Sequence, residues 1–114
     1  MRIGELSRKT GVSERLLRYY EEQGLLRPRR RPSGYREYAE SDVETVRTIR
    51  CLLTAGLGTS TIAQVLPCAV GGGGAVGVEL VRELVAERER IDRAIGELHS
   101  SRQLLQRVIA AGSR

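Results

Sequence analysis

Phenylalanine and tryptophan are absent from this 114-residue chain, and histidine and methionine occur once each. The single imidazole, His99, has no Cys, Asp or His around it at ligand spacing, so it reads as a solvated helix residue and not as a metal ligand. One histidine also cannot be matched to a nucleophile-base-acid triad, and Glu87, Glu89 and Asp92 read as exposed charges, so enzyme chemistry is not expected. Two cysteines at unrelated positions, Cys51 and Cys68, make neither a disulfide framework nor a paired zinc signature. No apolar run approaches the roughly 20 residues of a bilayer span, and the N-terminus has no apolar signal core. The expected setting is the cytoplasm, with no membrane, metal or cofactor. A chain of this length has room for one compact folded domain.

What the chain does have is positive charge, a net +5, and that charge is unevenly placed. Residues 1–40 hold ten Lys/Arg against six Asp/Glu, whereas residues 41–114 hold nine against eight. All four tyrosines (Tyr19, Tyr20, Tyr35 and Tyr38) fall in the same first third. A core built on aromatics would spread them along the chain. Basic residues interleaved with tyrosine in one short region suit a nucleic-acid surface, and a solvated basic face is the plainer alternative.

The local patterning favours the first of these. Ile3 to Thr10 predicts a short helix, Gly11 and Val12 a tight turn, and Ser13 the N-cap of a second helix that Gly24 ends. Two short helices joined in this way form a helix-turn-helix, whose second member enters the major groove. At 100° per residue, Leu16, Leu17 and Tyr20 gather on one side of that helix, able to pack on Ile3, Leu6 and Val12. Arg15, Arg18, Tyr19 and Glu22 gather on the other, a row in which Arg can grip guanine through two hydrogen bonds and Tyr can reach a phosphate or a thymine methyl.

The next segment, LLRPRRRPSGYREY, contains two prolines that stop a helix, a Ser33-Gly34 turn and strand-friendly residues from Tyr35 to Tyr38. It predicts a short β-hairpin, or wing, in which Arg27, Arg29, Arg30, Arg31 and Arg36 could lie against a phosphate backbone. Ser41 to Glu44 has the form of a capping box, opening a helix to Ala55 with Val43, Val46, Ile49 and Leu53 inward. Thr59 is then expected to cap a helix that Pro67 stops. CAVGGGGAVG, residues 68–77, reads as a joint without a phosphate-cradle pattern.

Residues 78–111 predict one helix of roughly 50 Å. Val81, Leu84, Ile91, Ile95, Leu98, Leu105 and Ile109 alternate between a and d heptad positions, with Arg88 and Arg102 as polar a residues. So narrow a seam on so long a helix calls for a partner helix, and a second copy of the chain is the simplest supply. The division is then 1–67 as a DNA-binding winged helix-turn-helix, 68–77 as linker and 78–111 as dimerisation helix. The fold class is mainly α.

With those residues in view, the chain resembles the MerR family along essentially its whole length. MRIGELSRKTGVSERLLRYYEEQGLL is similar to that family's helix-turn-helix, PSGYREY to its wing and SDVETVRTIRCLLTAGLG to its next helix and turn. The resemblance implies a symmetric dimer joined by an antiparallel coiled coil. It also implies binding to a palindromic promoter, shared with RNA polymerase, whose over-long spacer is bent and untwisted. Carried onto this sequence, the double-stranded DNA contacts are Arg15, Arg18 and Tyr19 from the recognition helix, with Arg36 and Tyr38 from the wing. Arg30 joins them as a phosphate contact. Longer relatives continue into an effector domain or metal loop where this sequence ends, and Val76, Gly77 and Val78 stand where metal-sensing branches carry a Cys or Ser.

Cys51 stands where aldehyde- and nitrosative-stress-responsive relatives carry a lone cysteine, and Arg47 and Arg50 are near enough in sequence to lower its pKa. An inert, half-buried small residue is the alternative, and Cys68 poses the same choice. An architectural or excisionase-like DNA binder without an inducer is the second functional reading. A coiled-coil interaction module with an incidental basic head is the third.

Overall fold

The computed structural model describes residues 1–70 and 76–113, which fall into two compact units, Met1–Val76 and Gly77–Arg114. The first contains α1 (Ile3–Thr10), α2 (Glu14–Glu22), β1 (Arg29–Arg30), β2 (Arg36–Glu37), α3 (Ser41–Thr54) and α4 (Thr59–Ala69). The second is the helix α5 (Val78–Gly112). Among the described residues the fold is mainly helical, with a single two-stranded sheet.

Local sequence accounts for most of these boundaries. The Ser13 hydroxyl accepts the Leu16 N–H at 3.2 Å, capping α2. At the other end Gly24 takes φ +73°, and bonds from Gly24 N to Glu21 O (2.9 Å) and Leu25 N to Tyr20 O (2.9 Å) close the helix. The same pair of closing bonds recurs at Gly56, with φ +93°. This left-handed ending is the one glycine adopts without a Cβ clash, and it reverses the chain within two residues.

Three expected boundaries need correction. Pro67 does not stop α4, which runs through it to Ala69, with Val70 N still bonding Leu66 O at 3.0 Å. Proline's fixed φ is compatible with a helix, and burial of Ile62 and Leu66 holds this last turn despite the missing N–H. Ser41 lies inside the first turn of α3 and forms no capping box; instead Asp42 Oδ2 accepts the Ala39 N–H at 2.8 Å. Thr59 likewise lies inside α4, whose N-cap is Gly58, and its hydroxyl pairs with Gln23 Oε1 at 3.3 Å. In both cases the helix begins one residue earlier than the polar side chain suggests. Most of the expected 68–77 linker, residues 71–75, lies outside the described residues, and Cys68 and Ala69 belong to α4.

The core of the first unit is made by Leu6, Val12, Leu17, Tyr20, Leu26, Val46, Ile49 and Ile62, each from 0 to 4 % exposed. It draws on all four helices and on the segment after α2, so the position of α2 is set by apolar burial from behind. Leu16 is not part of it: at 48 % exposure it departs from the expected apolar side. One residue from Leu17 is 100° around the helix, which carries Leu16 past the edge of the buried face. Leu53 is half-buried at the end of the α3 stripe.

β1 and β2 pair antiparallel, with Arg29 opposite Glu37 and Arg30 opposite Arg36. The hairpin tip is closed by Arg31 N to Tyr35 O and Gly34 N to Arg31 O, both at 2.8 Å. Its far end is tied to the start of the chain. The Met1 nitrogen donates to the Tyr38 carbonyl at 2.6 Å, and Tyr38 N–H donates to the Met1 carbonyl at 2.7 Å.

No residue of α5 is buried. Along its heptad seam Val81, Ile95, Leu98, Leu105 and Ile109 are exposed, the last four by 59–70 %, and Leu84 and Ile91 are intermediate. No helix among the described residues is long and apolar enough to cross a membrane.

Candidate nucleic-acid interface

The outward side of α2 carries Arg15, Arg18, Tyr19 and Glu22, all exposed, while Leu17 and Tyr20 face the core. Burial on one side and a Ser13 cap at the start leave the cationic row on a rigid element. Tyr19 lies tilted against Tyr20, with ring centroids 6.5 Å apart and planes at 59°, so the exposed ring touches the buried one.

The wing adds a second cationic element, whose arginines differ in state. Arg27, Arg29 and Arg30 include no buried residue, Arg29 and Arg30 forming the exposed strand β1. Arg31 forms a two-pronged pair with Glu37, Nε at 2.8 Å and Nη2 at 2.7 Å, which stiffens the hairpin from within. That hydrogen bond from Arg31 holds the Glu37 carboxyl below the ordinary carboxylate range. Arg36 is half-buried, its Nε shared between the two carboxylate oxygens of Glu21 at 2.9 and 3.2 Å. At the tip, the Arg2 guanidinium lies 4.1 Å over the Tyr35 ring, which is 53 % exposed.

Tyr38 requires the main correction. Expected as a DNA contact, it is 2 % exposed, and its buried hydroxyl has no hydrogen-bond partner among the described residues. Burial first, and then the negative charge of Glu21, push its phenol above the usual tyrosine range. Both residues of β2, Arg36 and Glu37, are half-buried, and burial becomes complete one residue past the strand at Tyr38, whose backbone is bonded to Met1. Tyr35, just before the strand, is the wing tyrosine that reaches solvent. Because a buried unbonded hydroxyl is costly, Tyr38→Phe is expected to stabilise the protein by about 1 kcal/mol in urea denaturation. A fall in stability would mean that the hydroxyl holds a partner.

Cys51 and Cys68 are both exposed, and neither is in a disulfide. The half-buried alternative therefore does not hold for either. The two arginines near Cys51 have other neighbours. Arg47 pairs with Glu44 at 3.2 Å, and the Arg50 guanidinium lies 3.7 Å from the point where a Cβ on Gly11 would stand.

Residues 1–68 match the MerR HTH family regulatory protein profile. The chain belongs to the MerR family. It is 34 % identical over 116 positions to the uncharacterized HTH-type transcriptional regulator PA4778 of Pseudomonas aeruginosa, covering 96 % of this chain and 83 % of that one. It is 36 % identical over 103 positions to the HTH-type transcriptional regulator HmrR of Rhizobium leguminosarum bv. viciae, covering 90 % and 65 %. The chain spans 46–65 % of the length of HmrR and of two further rhizobial regulators that it matches.

Solved MerR structures have the same fold. One is a putative MerR family transcriptional regulator from Listeria monocytogenes, with TM-score 0.74 and 26 % identity over 96 % of this chain and 83 % of that one. Another is HiNmlR, described as a MerR family regulator lacking the sensor domain and bound to promoter DNA. It has TM-score 0.74 and 24 % identity over 96 % and 86 %. The MerR arrangement of winged helix-turn-helix and long following helix is thus the fold of this chain.

Proposed function

We propose that this chain is a DNA-binding transcriptional regulator that acts as a homodimer on a palindromic promoter and distorts the spacer DNA beneath RNA polymerase. The observation that carries the reading is the exposed Arg15–Arg18–Tyr19 row on a capped helix whose other side is buried. In this assignment residues 1–67 read DNA, 68–77 link and 78–111 dimerise. Arg15 and Arg18 reach base edges, Tyr19 reaches a phosphate or thymine methyl, and Arg30 reaches a phosphate. Tyr38 drops out as a contact because it is buried.

The second copy is supported by the exposed a and d positions of α5, an apolar seam that a matching helix would cover. A 35-residue helix, about 50 Å long, is sufficient to separate two reading heads by one helical turn of DNA, about 34–36 Å. Bending and untwisting a spacer costs roughly 1–6 kcal/mol or more, and contacts from two heads rather than one can offset it.

The test is a search upstream of the chain's own gene for an inverted repeat, then a gel shift and footprint on that repeat combined with transcription in vitro. Arg18→Ala is expected to cost about 1–3 kcal/mol on the matched sequence and to relax base preference at one position in each half-site. Arg30→Ala should weaken all sequences alike and make the slope of log K against log salt shallower by about 0.9 for each phosphate that no longer has a cation beside it. If the parent protects no repeat at moderate salt, the proposal is wrong. If it protects the repeat but leaves transcription unchanged, an architectural role replaces regulation.

A further inference from the structure

Arg36 looks like a phosphate ligand in the sequence, yet its surroundings differ from those of the other wing arginines. It is half-buried, whereas Arg29, Arg30 and Arg31 reach solvent more fully. Its partner comes from outside the wing: Glu21 lies in the last turn of α2, with its side chain 20 % exposed against 37 % for Arg36. Of the ion pairs formed among the described residues, this is the one that joins the wing to α2.

We propose that Glu21 and Arg36 form a latch that holds the wing at a fixed angle to the recognition helix, making Arg36 a positioning residue in DNA binding and not a phosphate ligand. The inference rests on the reading that α2 and the wing bind DNA together. Two forces act at this seam, and they do different things. The Tyr38 ring is buried close enough to feel the charges of Glu21 and Arg18, but apolar burial has no direction, and its unbonded hydroxyl adds none. The hydrogen bond from Arg36 Nε to Glu21 Oε1 at 3.2 Å, with Oε2 in ion-pair contact at 2.9 Å, supplies the direction, because a charge-assisted hydrogen bond weakens steeply when misaligned. The wing's internal clip, Arg31 with Glu37, sets the shape of the hairpin, and the Met1–Tyr38 bonds tie its base to the start of the chain, but neither involves a residue of α2.

The sign of one substitution separates the two roles. If Arg36 held phosphate and Glu21 merely competed for it, Glu21→Gln would free a cation, remove a negative charge and tighten DNA binding. The latch requires the opposite: Glu21→Gln should weaken binding to the inverted repeat about fivefold although the protein becomes more positive. Arg36→Glu should weaken it further, and the charge swap Glu21→Arg with Arg36→Glu should return affinity to within about threefold of the parent. In the DNA-free protein, hydrogen exchange at the Arg31 and Tyr38 amides, bonded to Tyr35 O and Met1 O, should quicken in Glu21→Gln and recover in the charge swap. Tighter binding by Glu21→Gln, or a charge swap no better than Arg36→Glu alone, overturns the latch. So does unchanged exchange at both amides. Should the parent bind no DNA, the functional reading fails, while the exchange data on the free protein still decide whether the latch exists.

Discussion

Under the proposed α5 pairing, Leu98→Asp is expected to leave the protein monomeric and to lower its affinity for the inverted repeat by at least about 100-fold. Leu98 is 70 % exposed at a d position of α5, flanked along the seam by Ile95, Leu105 and Ile109 at 59, 60 and 65 %. Covering a leucine side chain contributes about 1.5–3 kcal/mol, and a symmetric pair contains every such residue twice. An aspartate in the seam removes that contribution and adds an unpaired charge next to apolar surface. In the proposed dimer, loss of pairing then takes away one of two reading heads, and with it about half of the contacts that would hold DNA. Light scattering coupled to size exclusion would show the change of mass, and a gel shift the change of affinity. Leu104→Asp is the control: Leu104 is 55 % exposed but sits at a c position off the seam, so that variant should remain a dimer. A Leu98→Asp protein that stays dimeric would remove α5 as the dimerisation element.

The second large effect is on stability. Leu17→Ala should destabilise the first unit by about 2–5 kcal/mol, because the side chain is 0 % exposed and its removal leaves a cavity behind the recognition helix. Against a typical total of about 5–15 kcal/mol, a loss of that size is visible in any thermal or urea melt. Leu16→Ala, one residue earlier and 48 % exposed, should cost less than about 1 kcal/mol. The contrast checks which of two adjacent leucines anchors α2. It also separates fold from function, since Leu17→Ala leaves the Arg15, Arg18 and Tyr19 side chains chemically intact.

Much of the architecture is legible in the residue string where the cause is local. Ser13 caps α2 because its hydroxyl needs only the N–H three residues on. Gly24 and Gly56 end helices because each takes a positive φ, and a glycine after an amphipathic run signals it. The heptad spacing of α5 likewise needs nothing beyond 3.5-residue periodicity, and the helix begins at Val78 as that pattern predicts.

Where structure and expectation part, packing in the folded chain has overridden the intrinsic preference of the residue. Intrinsic preference makes Pro67 a stop and Thr59 a cap, but Leu66 and Ile62 bury themselves in the core and carry the helix past both signals. Asp42, not Ser41, serves the start of α3, because two polar side chains stand within reach of the same backbone and only the folded chain selects between them. At the candidate site the α2 row is visible from helical angles alone. The engagement of Arg36 and the burial of Tyr38 are not, since the first needs the Glu21 carboxylate 15 residues earlier and the second the packing of the folded chain.

Residue order alone therefore settled, apart from a few residues at their ends, which segments are helical and where the outward charges of α2 lie, since each follows from bonds and angles within a few positions. Folding alone decided which of the wing's cations are engaged inside the protein and which tyrosine is hidden. Those outcomes depend on groups far apart in the chain that meet only once α2 and the hairpin have packed together.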